Sequence, residues 1–556
     1  MRREPAVGRQ SARAVLLLLV ASSLISPRTP SAEAQESQPA PVMEEVFAGE
    51  ELDLYLRTLQ NVGRAAFYPW AIRAFSPREV EELAVADSLH PWESRYAFRM
   101  EGSERFRYGL IHPRATAIYN STFPYGGNDG PLWAGKGLTG AVQIGGYLRY
   151  GPVSFVLAPV AFRSQNLDFE PAPIGRGEGQ VYASPLSPGN IDLPQRFGPD
   201  PYARLDMGSS TLRVDAVGVT VGVSTAAQHW GPLWTHPLIL GPNAGGFPHA
   251  FAGTQRPIPI LIGDLHLRYV IGRLDESDQS PAQAEDSRRF MGGLTAVYLP
   301  RGLPGLELGF SRFIHREWPA DGLGSSHLRQ PFEIGFKQSI PDADERFANN
   351  QLASVFGRWN VPGAGFEIFG EFVRIDHAFT TRVFVVEPDD LSGYALGLRR
   401  VWEGPDDALT VLRGEVFSTV SSHRQRGGAR LSLAYRARHM YRHSGIVQGH
   451  THRGQLLASP AGHGGAGSTL GIDRYHRNGR WSVEWHRRVE RDRTVGIVGS
   501  DPADIDVTYV LSVDAVRFEG PVDLDVGLAA AYNLNRYLQD DAFNWNLRVG
   551  ARMIPR

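Results

Sequence analysis

Apolar and polar positions alternate one for one near the C-terminus. In 543–553, FNWNLRVGARM, Phe543, Trp545, Leu547, Val549, Ala551 and Met553 alternate with Asn544, Asn546, Arg548, Gly550 and Arg552. In 522–535, VDLDVGLAAAYNLN, Val522, Leu524, Val526, Leu528, Ala530, Tyr532 and Leu534 oppose Asp523, Asp525, Gly527, Asn533 and Asn535. In 505–513, Ile505, Val507, Tyr509, Leu511 and Val513 share one face. A period of two places each set on one side of an extended strand. A soluble sheet turns its apolar side inward; a transmembrane barrel turns it outward to lipid and lines its lumen with polar groups. The polar side here carries Asp, Asn and Arg over runs near the ~9–11 residues of a tilted membrane strand, longer than the ~5–6 of soluble strands. Trp545, Tyr532 and Tyr509 supply an interfacial aromatic belt. The pattern predicts an all-β chain, a transmembrane antiparallel β-barrel.

Read backwards, further strands fall near 480–490, 467–476, 428–439, 408–419, 391–402, 365–376, 351–360, 331–339, 305–315, 290–299, 263–274, 211–225, 153–165, 138–150 and 104–111. That makes about eighteen, within a range of roughly 16–20. Some connections are turn-like, as at Gly151-Pro152, Asn478-Gly479, Glu519-Gly520-Pro521 and Val361 to Gly365. Others are long: 166–205, 226–262, 377–390 and 440–466. Short turns on one side and long loops on the other suit a membrane barrel. The alternation slips between 339 and 428, so a strand there is missed or falsely drawn. The chain ends on MIPR rather than on the aromatic residue common at the end of such barrels.

Residues 46–100 break the period. Ser76-Pro77-Arg78-Glu79 supplies an N-cap, a proline at the first helical position and a capping-box glutamate. EVEELAVADSL continues helically, and an earlier short helix is expected over 50–60, with Leu52, Leu56 and Leu59 on one face. Ahead of it, Arg2, Arg3, Arg9 and Arg13 precede the apolar run AVLLLLVASSLIS, and Ala32-Glu33-Ala34 fits a cleavage site. The expected organisation is a cleaved signal peptide over 1–34, a disordered tip over 35–45, a small periplasmic helical segment over 46–100 and the barrel over 101–556. The expected address is the cell outer membrane of a Gram-negative-type bacterium.

The absence of cysteine excludes disulfides, Cys-ligated zinc and a Cys-linked lipid anchor. Net charge is −2 over 556 residues, and more negative once the arginines of 1–34 are removed, so nothing points to nucleic acid. No GxSxG, HExxH or P-loop is present, and no catalytic set stands out. Glu367 and Glu371 share a strand face about 13 Å apart by strand rise, too far for a retaining carboxylate pair. Lumen lining is the expected role of both. The chain is expected to be no enzyme, to need no cofactor and to act as a monomer.

One loop is unusual. QHWGPLWTHPLILGPNAGGFPH (228–249) is too broken for a helix, too Pro-rich for a central strand and too aromatic for a linker. It caps one mouth of a pore or folds into it. Trp230 and Trp234 offer flat faces of the kind sugar rings stack on, and His229, His236 and Asn243 both donate and accept. The alternative is that tryptophan and proline pack the loop shut. Asn128, Asp129 and Trp133 lie in a similar Gly-rich setting and carry the same two readings. His450 and His452 share one face if extended, without a third metal ligand at fixed spacing, so no metal site is expected. Arg453 beside them suits an acidic sugar's carboxylate.

Four stretches then carry a resemblance: YNSTFPYGGNDGPLWAGKGL (119–138), QHWGPLWTHPLILGPNAGGFP (228–248), NNQLASVFGRWNVPGAGFEIFGEF (349–372) and QGHTHRGQLLASPAGHGG (448–465). In these, in their order and in the helical N-terminal part, the chain resembles the capsule-assembly Wzi family of outer-membrane proteins, as a distant member. The resemblance implies a barrel of about eighteen strands with a small helix bundle, binding capsular or related polysaccharide at the cell surface. The competing expectation is a porin-like solute channel on the same fold.

Overall fold

A computed structural model describes residues 47–83, 92, 106–174, 181–185, 189–282, 288–332, 349–375, 380–386, 388–389, 391–420, 440–443, 445–492 and 505–554. Its wall is a closed antiparallel barrel of 18 strands. In chain order these are β1 (Phe106–Asn120), β2 (Gly137–Tyr150), β3 (Val153–Leu157 continued by Val160–Ser164), β4 (Tyr202–Asp206 continued by Thr211–Ala216), β5 (Val219–Ser224) and β6 (His249–Thr254 continued by Ile258–Ile260). There follow β7 (Gly263–Leu274), β8 (Arg289–Pro300), β9 (Leu306–Glu317), β10 (Asn349–Val361), β11 (Phe366–Ile375) and β12 (Ser392–Glu403). The last six are β13 (Leu409–Ser418), β14 (Ala466–His476), β15 (Gly479–Asp492), β16 (Ile505–Glu519), β17 (Val522–Leu534) and β18 (Ala542–Met553). Each pairs with its sequence neighbour, and β18 closes on β1 from Arg114 opposite Arg552 to Asn120 opposite Asn546. Closure leaves no strand edge unpaired in hydrocarbon.

The alternation read from the sequence is the alternation of the wall. Phe543, Trp545, Val549 and Met553 of β18 face outward, while Asn544 is buried inside. On β17, Leu524, Val526, Leu528 and Tyr532 are exposed, while Asp523 and Asn533 are buried. This inverts a soluble sandwich: the apolar side meets lipid and the charged side meets the lumen. All turns at one end are short, at 151–152, 217–218, 261–262, 301–305, 362–365, 404–408, 477–478 and 520–521. Longer loops fill the other end, and β1 starts and β18 stops at the short-turn end.

The short–long alternation is unbroken, and the observed wall differs from the expected strands around β5 and β6 and beside the β9–β10 and β13–β14 pairs. The wall pairs β9 directly with β10 and β13 directly with β14. Among the described residues no wall strand lies between these pairs, where strands are expected at 331–339 and 428–439. Pro331 and Phe332 close a 3-10 turn, and the rest of both runs lies outside the described residues. Conversely, 211–225 is not one strand but β4 and β5, joined at Val217-Gly218, both with positive φ. β6 was not expected at all.

In the N-terminal segment, α1 (Glu51–Asn61) and α2 (Pro77–Glu82) form as their patterns require. Ser76 N donates to the Glu79 carboxylate (2.8 Å) and Glu79 N to Ser76 Oγ (3.3 Å), a reciprocal capping box. The expected continuation over 84–89 lies outside the described residues, as do the expected signal peptide and tip.

Candidate ligand site in the barrel lumen

The lumen is filled from both mouths, and the filling defines what space is left. At the short-turn end, α1 buries Leu52, Tyr55, Leu56 and Leu59 with Trp70, Trp92 and the wall residue Tyr475. Tyr55 stacks on Trp92 at 4.2 Å. Its polar side is tied to charged wall positions. Arg57 Nε donates to Glu367 Oε1 at 2.9 Å, and Arg358 reaches both Glu367 (3.1 Å) and Glu307 (3.2 Å). Glu307 also accepts the backbone N–H groups of Trp70 and Ala71 at 3.0 and 2.9 Å. All four charged side chains are fully buried, so each depends on its partners for solvation.

From the other mouth, the loop between β5 and β6 dives inward. Trp230, Leu233, Leu238, Ile239, Leu240 and Phe247 join one apolar cluster with the wall residues Phe313, Leu352, Phe369, Val373 and Phe417. Its polar groups close on themselves. His229 Nε2 pairs with Leu233 O (2.7 Å), and His236 bridges Ser459 Oγ (3.0 Å) and Thr469 Oγ1 (3.2 Å) while stacking on Phe417. His450 Nε2 pairs with Ile239 O (2.7 Å). The Glu415 carboxylate accepts three successive backbone N–H groups, those of Trp234, Thr235 (2.9 Å) and His236 (3.1 Å). Burial pushes His229, His236 and His452 well below the usual histidine range, and His450 down to about 4. Trp230, His229, His236 and His450 are thus buried in the packing of the lumen.

The other expected residues divide into two groups. Asn128 Nδ2 donates to Thr235 O (3.1 Å), Asn128 N donates to Asn243 Oδ1 (3.2 Å), and Asn243 Nδ2 donates to Leu456 O (2.8 Å). These amides stitch the 121–136 loop to the 225–248 loop and bring Asp129 beside Trp234. Elsewhere, Arg453 bridges Asp206 (3.0 Å) and Asp275 (3.2 Å), and His452 Nδ1 accepts from Asp275 N (3.1 Å). Trp133 packs edge-on against Phe197 at 4.9 Å. Trp133, His452 and Arg453 therefore do not converge with Trp234.

What converges with Trp234 is a polar cavity of about 260 Å³ between the loops and the wall. Tyr125, Asp129 and Trp234 line it from the loops; Arg413, Glu484, His486, Arg488, Ser512, Asp514, Asn546 and Arg548 line it from β13 to β18. Asp129 accepts Gly127 N (3.0 Å) and pairs with Arg548. A smaller void of about 220 Å³ lies on the other side of Asn128 and Asp129, reaching Glu50, Arg114 and Gln143. The cavity offers two aromatic faces, carboxylates, an amide, a hydroxyl and arginines, the mixture that hydroxyl-rich rings require. The wall residues of this cavity were not singled out in advance as site residues. Asn546 and Arg548 belong to the polar side of β18, but alternation alone ranks no lumen position above another. Among the described residues, no group of three or more His, Asp or Glu side chains is arranged to hold a metal.

No family model matches the chain, and no curated protein matches it. Among solved structures it is similar to Wzi of Escherichia coli, described as an outer membrane protein involved in group 1 capsule assembly and a carbohydrate binding beta-barrel. The TM-score is 0.59 at 13% identity, over 91% of this chain and 99% of that one. The outer-membrane barrel fold is therefore shared. OccAB2 of Acinetobacter baumannii (TM-score 0.40, 10% identity, 80% of this chain and 97% of that one) overlaps more loosely. So does OprD of Pseudomonas aeruginosa (0.37, 11%, 82% and 96%).

Proposed function

We propose that this barrel binds surface polysaccharide through its lumen-side loops and assists capsule or exopolysaccharide assembly or attachment, without catalysing a reaction. The observation that carries the reading is the double filling of the lumen. The N-terminal helices occupy one mouth, the 225–248 loop descends from the other, and the two meet in a backbone ladder. A solute channel needs a continuous water path, and the meeting of the two fillings inside the lumen supports a plugged barrel. The polar cavity beside Trp234 has the composition of a sugar site, and Wzi, with the same fold, is a carbohydrate binding barrel. Asn128, Asp129 and Trp234 are the contacts proposed from the loops. Export by a cleaved signal over 1–34 and insertion as a monomer belong to the same proposal.

Two measurements on detergent-purified full chain test it. In planar bilayers the expected single-channel conductance is low; a stable large conductance favours the channel. In a glycan array the expected outcome is retention of surface polysaccharide, weakened by Trp234→Ala. A protein that conducts strongly and retains no glycan overturns the proposal.

A further inference from the structure

The lumen cavity contains an arginine with no counterion. Arg488 is nine-tenths buried, and its Nε is sealed without a hydrogen-bond partner. The other arginines lining the cavity, Arg413 and Arg548, are paired, and so is Arg480 on the same strand. Arg413 meets Asp473 (2.7 Å) and Glu484, Arg480 meets Glu51 (2.6 Å) and Asp473 (3.1 Å), and Arg548 meets Asp129. Among the described residues Arg488 makes no ion pair or hydrogen bond; its one specific contact is the Tyr125 ring, 5.6 Å from the guanidinium carbon. A buried guanidinium left unpaired is costly, and the cost is removed when an anion docks on its fork of N–H donors. Glu484, which lines the same cavity, is already engaged by Arg413 and His486.

The rest of the lining says what the anion is attached to. Trp234 and Tyr125 offer flat faces. Asp514 lies across Gly527 with neither hydrogen bond nor ion pair among the described residues, and Ser512 and Asn546 sit near it. These groups accept and donate to hydroxyls. Arg488 faces Thr508 in the sheet register and Asp514 faces Ser482, six positions apart, or roughly 20 Å along the strand. Arg488 lies nearer the long-loop end. We infer that this cavity takes a stretch of acidic polysaccharide, with the carboxylate of a uronic-acid-type sugar on Arg488 and hydroxyls of the same stretch toward Asp514. This rests on the glycan-binding reading and adds the charge of the ligand and the residue that reads it.

The test uses the full chain in detergent and two matched pairs of probes: galacturonate and hyaluronan oligosaccharides, each beside its carboxyl-reduced neutral form. Binding is followed by calorimetry. The expected result is that the acidic member of a pair binds at least tenfold tighter, and that Arg488→Gln removes this preference while leaving the neutral member unchanged. Arg517→Gln, on the exposed short-turn rim, serves as the charge control and retains the preference. Heat-modifiable migration on gels confirms that each variant keeps its barrel. Equal affinity for acidic and neutral members, or a preference that survives Arg488→Gln, overturns the inference while glycan binding stands. Failure of all four probes to bind wild type overturns the glycan reading itself.

Discussion

Ile72 and Trp230 face each other across a two-residue antiparallel ladder inside the lumen, with Arg73 opposite His229. One residue arrives from the N-terminal segment at the short-turn mouth, the other from a loop entering at the opposite mouth. Gly231 N extends the ladder to Ala71 O at 2.9 Å, and Arg73 donates to Leu233 O at 3.1 Å while its guanidinium lies over Trp234. Each filling element thus supplies backbone partners for the other. Loosening one leaves buried N–H and C=O groups of the other unpaired, so the two should open together.

Trp230→Ala tests that coupling. The ring is fully buried beside Phe313, and it fills the space over Gly293, where even a methyl group would lie 2.5 Å from it. Its removal is expected to destabilise the filling by about 3–5 kcal/mol, the usual range for a large aromatic lost from a core. The wall should survive, because its strands pair without the loop. Limited proteolysis should then cut both 47–83 and 225–248 faster than in wild type, and bilayer conductance should rise. Cleavage confined to one of the two segments would disprove the coupling.

Glu367→Ala removes the carboxylate shared by Arg57 and Arg358. Breaking a buried ion pair from one side costs about 3–5 kcal/mol, because the remaining charges stay buried without compensation. The expected readout is release of the N-terminal segment, seen as faster hydrogen exchange over 51–61 with the barrel still heat-modifiable. The triple variant Arg57→Met, Arg358→Met, Glu367→Met should recover much of the protection. If the single variant exchanges at the wild-type rate, the network does not hold the plug.

Particular residues explain how far the sequence could be read. The outward stripe of β16 to β18 was legible because lipid demands apolar groups at every second position, and Leu524 or Trp545 meets no other constraint. The β4–β5 hairpin was not, because its turn is Val217-Gly218, and a β-branched residue with positive φ carries no turn signature. β6 was hidden because Phe251 points inward while Ala250 and Ala252 give the outer side little hydrophobic contrast. At the candidate site, the Gly- and Pro-rich loops that carry Trp234 and Asp129 could be picked out. Arg488 and Asp514 were not, since what distinguishes them is the missing partner, a property of the assembled lumen.

Acid should open the loop plug before it affects the wall. His450 is held at about 4 by burial, below its ordinary value near 6.5, and His229, His236 and His452 are lowered by the same cause. A histidine with a lowered folded pKa contributes no penalty above pH 6.5, where both states are neutral. As pH falls below 6.5 the unfolded form takes up protons that the folded form refuses, so stability drops until the folded pKa is reached. For His450 that window runs from about 6.5 to about 4. Glu79 of the capping box loses its contribution in the same direction but at lower pH: although burial alone would raise it, hydrogen bonding to His266 at 3.2 Å and the nearby Arg268 hold it down to about 2, so its contribution fades only as pH falls below about 4.5. Proteolysis of 225–248 is expected to accelerate between pH 6.5 and 4.5, and His450→Gln should blunt that acceleration. A cleavage rate flat across this interval would refute the role of the histidines.

Glu415 is expected to be the residue that positions Trp234. Its carboxylate receives the backbone N–H groups of Trp234, Thr235 and His236, and so fixes the turn from which the Trp234 ring meets the cavity. Glu415→Ala leaves three buried donors unpaired, at about 1–3 kcal/mol for each donor that finds no water. Glu415→Gln keeps one acceptor oxygen and should lie between the alanine variant and wild type. Because Glu415 lies behind the loop, its loss should lower affinity for neutral and acidic oligosaccharides alike, in contrast to a residue that reads charge. It should also shift the fluorescence of Trp234 toward that of a more hydrated ring, measured against a Trp234→Phe background. Unchanged fluorescence together with unchanged affinity would show that the turn holds its shape without the carboxylate, and that Trp234 is placed by the apolar cluster alone.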